Sequence, residues 1–239
     1  MQAWKTIETV ATQDGPLELR QRGERDFLIL IDGRVLMSST AFRSEVFLAH
    51  EACRLIADRP APRVIIGGLG MGLTLRAALD VLPPASQVLV VELNPEVVRW
   101  CKGVLAPLSG GALADPRVRV EVADVAAVVA RISRDGPPCD AIVLDLYEGP
   151  HAATQSARDP FYGPRALIRA RAALRSDGVF AVWGEDPDHR FEGRLLGAGF
   201  RFKRNISGQG GRRHAVYIAR PRVVVGGGPP EESGRRGPA

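Results

Sequence analysis

The sequence predicts an α/β fold: a mostly parallel, Rossmann-like sheet closed by an antiparallel C-terminal hairpin, with a small β appendage in front of it. Three observations predict it. From Arg63 onward, strand-like apolar runs alternate with helical patterns, the signature of a parallel sheet with crossover helices. The first of these junctions is a glycine cluster, Gly67, Gly68, Gly70 and Gly72, set between the apolar run Val64 to Ile66 and the helical pattern Leu73 to Leu82. The last two β runs, Phe200 to Ile206 and His214 to Arg220, are separated only by SGQGGRR, which reads as a hairpin rather than another crossover.

Taken in order, residues 1–45 read as the appendage. Pro16 to Arg20 and Phe27 to Ile31 are extended candidates, and Asp32-Gly33 is a hairpin turn signal before Arg34 to Met37. Residues 46–220 form the nucleotide-binding domain, entered by a helix over Glu45 to Ala57. Its apolar stripe of Val46, Leu48, Ala49, Ala52, Cys53 and Ile56 ends near the helix-breaking Pro60 and Pro62. His50 in that helix reads as a core or surface residue. After the glycine cluster, the run Val88 to Val91 ends on Glu92. A helix then starts at Asn94-Pro95, with Asn as cap and Pro in the first turn, and runs to Val104. A long polar loop leads to a strand over Arg117 to Val122, then Asp124, then a helix from Val125 to Ile132. The next strand, Asp140 to Leu146, delivers Asp145, Tyr147, Glu148 and His151, followed by a polar loop suited to act as a lid. A helix over Phe161 to Leu174, its end marked by Ser176-Asp177-Gly178, leads to a strand over Val179 to Trp183 and a short helix over Pro187 to Leu196. Residues 221–239 have too little apolar content to fold and are expected to be a disordered tail.

Composition narrows the function. The apolar content of 45% and charged content of 25% are those of an ordinary globular protein. No apolar run reaches membrane-span length, and the first residues lack the pattern of a signal peptide, so a cytoplasmic protein without membrane partners is expected. The net charge of +5 comes largely from Arg scattered along helices and in the tail, with no interleaved aromatics, which argues against nucleic-acid binding. Cys53, Cys101 and Cys139 lack metal-ligand spacing and read as reduced thiols; no metal is expected.

The chemistry concentrates at strand tips. Glycines let backbone approach a nucleotide closely, and the following helix start offers free N–H groups. Glu92, twenty residues after Gly72, stands where a βαβ unit places a carboxylate against ribose hydroxyls. Asp124 is placed to contact the base and equally to cap the helix behind it. Asp145 is the first choice for chemistry, because an acid at the tip of a central strand costs free energy unless it has a partner or a task. Glu148, Tyr147 and His151 are placed to orient an acceptor or simply to face solvent.

From Phe27 to Arg220 these motifs resemble the spermidine synthase-like proteins, aminopropyltransferases on the class I S-adenosylmethionine methyltransferase fold. VIIGGLGMG is similar to the family's glycine motif, VVELNPEVV to its ribose-binding strand end, and DPRVRVEVADV to its adenine-binding segment. DAIVLDLYEGP resembles its catalytic strand and loop, and the segment with IDGRVLMSS its N-terminal domain. The resemblance implies that Gly67, Gly68, Gly70, Gly72, Glu92, Asn94, Asp124, Val125 and Asp145 bind the donor. Glu92 would take the ribose, Asp124 the adenine amino group, and Asp145 the reacting end, with Glu148 and Tyr147 beside it. It also implies a possible homodimer through the appendage. Two departures stand out: Gly70 occupies the place of an acid that meets the donor's amine, and Leu36 or Met37 replaces a Gln. The expected reaction is therefore methyl transfer from S-adenosylmethionine to a small-molecule acceptor. The alternatives are aminopropyl transfer from decarboxylated S-adenosylmethionine to a polyamine, or a catalytically degenerate nucleotide-binding protein.

Overall fold

The computed structural model describes residues 2–151, 156–207 and 214–222. Most of the expected tail, the turn of the C-terminal hairpin and residues 152–155 of the expected lid loop lie outside the described residues.

The chain opens with a four-stranded antiparallel sheet in sequential order: β1 (Lys5–Thr12), β2 (Gly15–Arg22), β3 (Asp26–Ile31) and β4 (Arg34–Ser38). The β3–β4 turn is the expected one, with Asp32 at φ 46° and Gly33 at φ 75°, the positive pair of a tight hairpin turn. Strand β1 was not anticipated. KTIETVAT offers one small apolar face and mostly exposed side chains, so pairing with β2, rather than its own pattern, makes it a strand.

Helix α1 (Arg43–Cys53) then leads into a seven-stranded sheet. Its elements are β5 (Arg63–Gly67), α2 (Leu73–Val81), β6 (Gln87–Glu92), α3 (Pro95–Lys102), β7 (Val118–Val122), α4 (Val125–Asp135) and β8 (Cys139–Leu144). They continue with α5 (Pro164–Ala173), β9 (Leu174–Gly184), α6 (His189–Gly197), β10 (Phe200–Ser207) and β11 (His214–Pro221). Strand order is β10-β11-β9-β8-β5-β6-β7, parallel from β9 through β7, with β11 antiparallel to both β9 and β10. The polar loop after α3 contains two short 3-10 turns.

The end of α5 corrects the sequence reading. The helix stops at Ala173 and Leu174 already pairs with Cys139, so Ser176-Asp177-Gly178 lies on an irregularity inside β9 rather than at a helix end. The chain passes close to itself there: a Cβ on Gly178 would lie 3.1 Å from the Asp140 carbonyl oxygen.

Strand β8 is buried along its whole length. One apolar cluster runs from the N-terminal sheet (Leu17, Leu19, Phe27, Ile29, Ile31) through α1 (Leu48, Ala52) into the inner face of the main sheet (Val64, Ile66, Val143, Ala181). The opposite face packs against α4, α5 and α6 in a second cluster. Among the described residues, no helix is long and apolar enough to cross a membrane.

Candidate active site

Parallel strands that alternate with helices deliver their carboxyl ends to one edge, where loops are free to carry chemistry. Here β8, β5, β6 and β7 are adjacent, so Asp145, the glycine turn, Glu92 and Asp124 stand along one edge in that order. Gly68, Gly70 and Gly72 take φ of +88°, +52° and +77°, which L side chains rarely adopt. At Gly68 space forbids a side chain as well: a Cβ would lie 2.2 Å from the Asp145 carbonyl oxygen. The two turns are stitched together, Asp145 N–H donating to the Gly67 carbonyl at 2.9 Å and Gly68 N–H to the Val91 carbonyl at 2.9 Å.

Glu92 is buried at 7% exposure, and its carboxylate holds the glycine turn. One oxygen accepts the Leu69 N–H at 2.8 Å and the other the Asn94 N–H at 2.9 Å. Burial raises its pKa, against the lowering effect of those N–H donors. Asn94 stands at the start of α3 without a side-chain cap bond of its own. Asp124 is exposed and caps α4, accepting the Ala126 N–H at 2.7 Å. Val125 is buried and helps line a shallow cleft with Ile142, Leu144, Pro160 and Phe161; this cleft includes none of Glu92, Asp124 and Asp145.

Asp145 accepts a hydrogen bond from the Thr74 hydroxyl of α2. Burial, and after it the negative charge of Glu45, push its carboxyl up to about 7, with the Thr74 hydroxyl opposing. Tyr147 is exposed, its ring 5.5 Å from the Arg34 guanidinium. Glu148 is exposed, 3.7 Å from His151 Nε2, and its carbonyl accepts the hydroxyl of the fully buried Tyr162 at 2.8 Å. His50 is exposed on α1, and Trp100 is buried with its indole N–H donating to Glu8 at 2.9 Å.

Two residues at this edge, Glu45 and Thr74, were not read from the sequence as part of a site, and Met37 was read only as one of two residues in the place of a Gln. Glu45 and Thr74 lie in the first turns of α1 and α2, where an acid or a hydroxyl is ordinary. Met37 of β4 reaches over from the N-terminal sheet: its Sδ accepts the Met71 N–H at 3.2 Å and would lie 2.5 Å from a Cβ on Gly70. A thioether therefore fills the space beside Gly70. Cys101 Sγ also lies 3.2 Å from the Gly70 carbonyl oxygen. All three cysteines are free and buried, which pushes their thiols up to about 12, 12 and 11. Among the described residues, no group of three or more His, Cys, Asp or Glu is arranged to hold a metal ion.

No family model matches the chain. Among curated proteins it is 31% identical over 160 residues to polyamine aminopropyltransferase 1 of Hyperthermus butylicus, which covers 64% of this chain and 51% of that protein. It is 32% identical over 174 residues to polyamine aminopropyltransferase 2 of Pseudomonas aeruginosa, covering 69% of this chain and 45% of that one. The chain thus spans about half the length of these curated relatives. Among solved structures, spermidine synthase from Thermotoga maritima superposes with a TM-score of 0.69 at 20% identity, over 90% of this chain and 72% of that one. A spermidine synthase in complex with the transition state analogue AdoDATO gives a TM-score of 0.68 at 21% identity, with the same coverage. At these identities the structural likeness speaks for the fold. Methyl transfer, the reaction favoured from Gly70, finds no support among the relatives, whose names carry the alternative.

Proposed function

Because sequence relatives and solved neighbours support a spermidine synthase-like family with a methyltransferase-like fold for this chain, we propose that it transfers an aminopropyl group from decarboxylated S-adenosylmethionine to an amine of a small polyamine-type acceptor. The observation that carries the reading is Asp145: a carboxyl pushed up to about 7 at the carboxyl end of the central strand, backbone-bonded to the glycine turn. A sulfonium donor is already activated, so the protein's work is to align the nucleophile and manage its proton. The acceptor nitrogen attacks the propyl carbon next to sulfur, the C–S bond breaks, and methylthioadenosine leaves with the electron pair. The nitrogen's proton passes to Asp145, which is ionised above about pH 7 and so is a base near neutrality.

In this reading Glu92 takes the ribose hydroxyls with lone pairs not used by Leu69 and Asn94. Gly67, Gly68, Gly70 and Gly72 give the donor backbone access, Val125 packs against the adenine, and Asp124 accepts from its amino group while capping α4. Glu148 and Tyr147 stand at the acceptor's entrance. The test is incubation with a diamine and either donor. Methylthioadenosine release from the decarboxylated donor is the expected result. S-adenosylhomocysteine from the intact donor, or donor binding without any turnover, would refute the reading.

A further inference from the structure

The proposed chemistry uses one carboxylate at the reacting end, but the fold puts a second one near it. Leu144, the last residue of β8, pairs with Val182, so Asp145 and Trp183 each follow directly on a residue of that last pair, and Trp183 packs on the face covered by α1 and α2. From α2, Thr74 donates to Asp145. From α1, Ser44 donates to Glu45 Oε2 at 2.6 Å and is itself held by Trp183 Nε1 at 3.2 Å. The first turns of two helices and the ends of two strands thus bring Glu45 and Asp145 to the same edge, near enough that the charge of Glu45 raises the Asp145 carboxyl, and each has a hydroxyl as its side-chain partner. Among the described residues, no Lys, Arg or His is ion-paired with either, although Arg is abundant in this chain.

Resting on the aminopropyl reading, we propose that Glu45 is an amine-binding residue of the acceptor site, holding the reacting nitrogen of the acceptor between its own carboxylate and that of Asp145. Two like charges held close by neutral donors repel, and a ligand ammonium between them relieves that repulsion. A hydroxyl or carboxylate acceptor gains nothing there. The acceptor nitrogen enters as an ammonium, gives one proton to Asp145, and attacks while Glu45 still accepts a hydrogen bond from a remaining N–H. Glu45 thereby sets the substrate class as a primary or secondary amine, and it does so from the segment that follows the N-terminal sheet.

The test is calorimetric titration of the full chain, wild type and Glu45→Gln, with 1,4-diaminobutane and separately with decarboxylated S-adenosylmethionine. The expected result is about tenfold or weaker diamine binding in E45Q, the scale of one charge-assisted hydrogen bond lost. Donor affinity should be unchanged, and E45D should recover most of the diamine binding. Equal diamine affinity in wild type and E45Q overturns the proposal, as does a wild-type protein that binds no diamine, or a parallel loss of donor affinity. Glu45-dependent diamine binding without methylthioadenosine release would refute the aminopropyl reading and leave this one standing.

Discussion

Asp145 is where burial, charge and chemistry meet, and its consequences are measurable at two levels. A carboxyl whose folded pKa is raised from 3.8 to about 7 supports folding fully while it is protonated in both states. That support is lost as pH rises from the unfolded value through about 7, because the fold penalises the ionised form. Asp145→Asn is therefore expected to match wild type in stability near pH 4 and to exceed it at pH 8 by about 2 kcal/mol, discounted for the partial exposure of the group. Denaturant melts at the two pH values check this. The same variant should lose about 100-fold or more in turnover, and wild-type turnover should rise through about pH 7 as the base ionises. Gly70→Asp gives a second residue-level test. Left-handed backbone and the Met37 sulfur both oppose it, so it should cost about 2 kcal/mol or more, and adding Met37→Ala should return part of that loss in a double-mutant cycle of thermal melts. Asp145 and Glu92 were legible in the sequence because acids ending apolar runs stand out. Glu45 and Thr74 were not, since each has an unremarkable local reason to be where it is, and Met37 was marked only by the resemblance, as one of two residues in the place of a Gln; only the packing of α1, α2 and β4 around the strand ends brings the three together.

Among the elements, β8 depends on a polar anchor at its start. Asp140 is buried at 5% exposure, accepts the Arg63 N–H at 2.7 Å and pairs with the Arg59 guanidinium, which also reaches the Asp177 carboxylate at 2.7 Å. This ties the beginnings of β5 and β8 and the irregular stretch of β9 into one knot, at the opposite edge of the sheet from Asp145. Asp140→Ala leaves the Arg63 N–H without its acceptor and a partly buried guanidinium with one partner fewer. It should cost about 3 kcal/mol in chemical denaturation while leaving the donor affinity of the folded protein unchanged. The alternation of runs and helices was readable because crossover helices and buried strands differ in period. Strand β1 was not, because an edge strand with exposed side chains carries little period-2 signal. Nor was the α5–β9 boundary: Ser-Asp-Gly suits an irregularity within a strand as well as a helix stop, and contacts with Asp140 and Arg59 decide between them.

For the molecule as a whole, the N-terminal sheet is joined to the main sheet by a common interior. Leu17, Leu19, Phe27, Ile29 and Ile31 belong to the same apolar cluster as Val64, Ile66 and Val143. A polar clasp on the outside adds to it, Glu8 accepting the Trp100 indole N–H at 2.9 Å and pairing with Arg99. Removing residues 2–38 uncovers that interior, and the remainder is expected to aggregate or melt without a cooperative transition by circular dichroism. The sequence marked the appendage as a separate β unit, and its strands did form a sheet of their own. That it shares its interior with the second sheet was hidden, because a strand's alternation tells which side is apolar and not what lies against that side. The contact between Met37 and Met71 turns this union into something observable in solution. They are two of only three methionines in the chain, one from each sheet's territory, with the Met37 sulfur on the Met71 amide. Isotopic labelling of the methionine methyls alone would yield an almost empty spectrum whose few signals report directly on the seam beside the glycine turn.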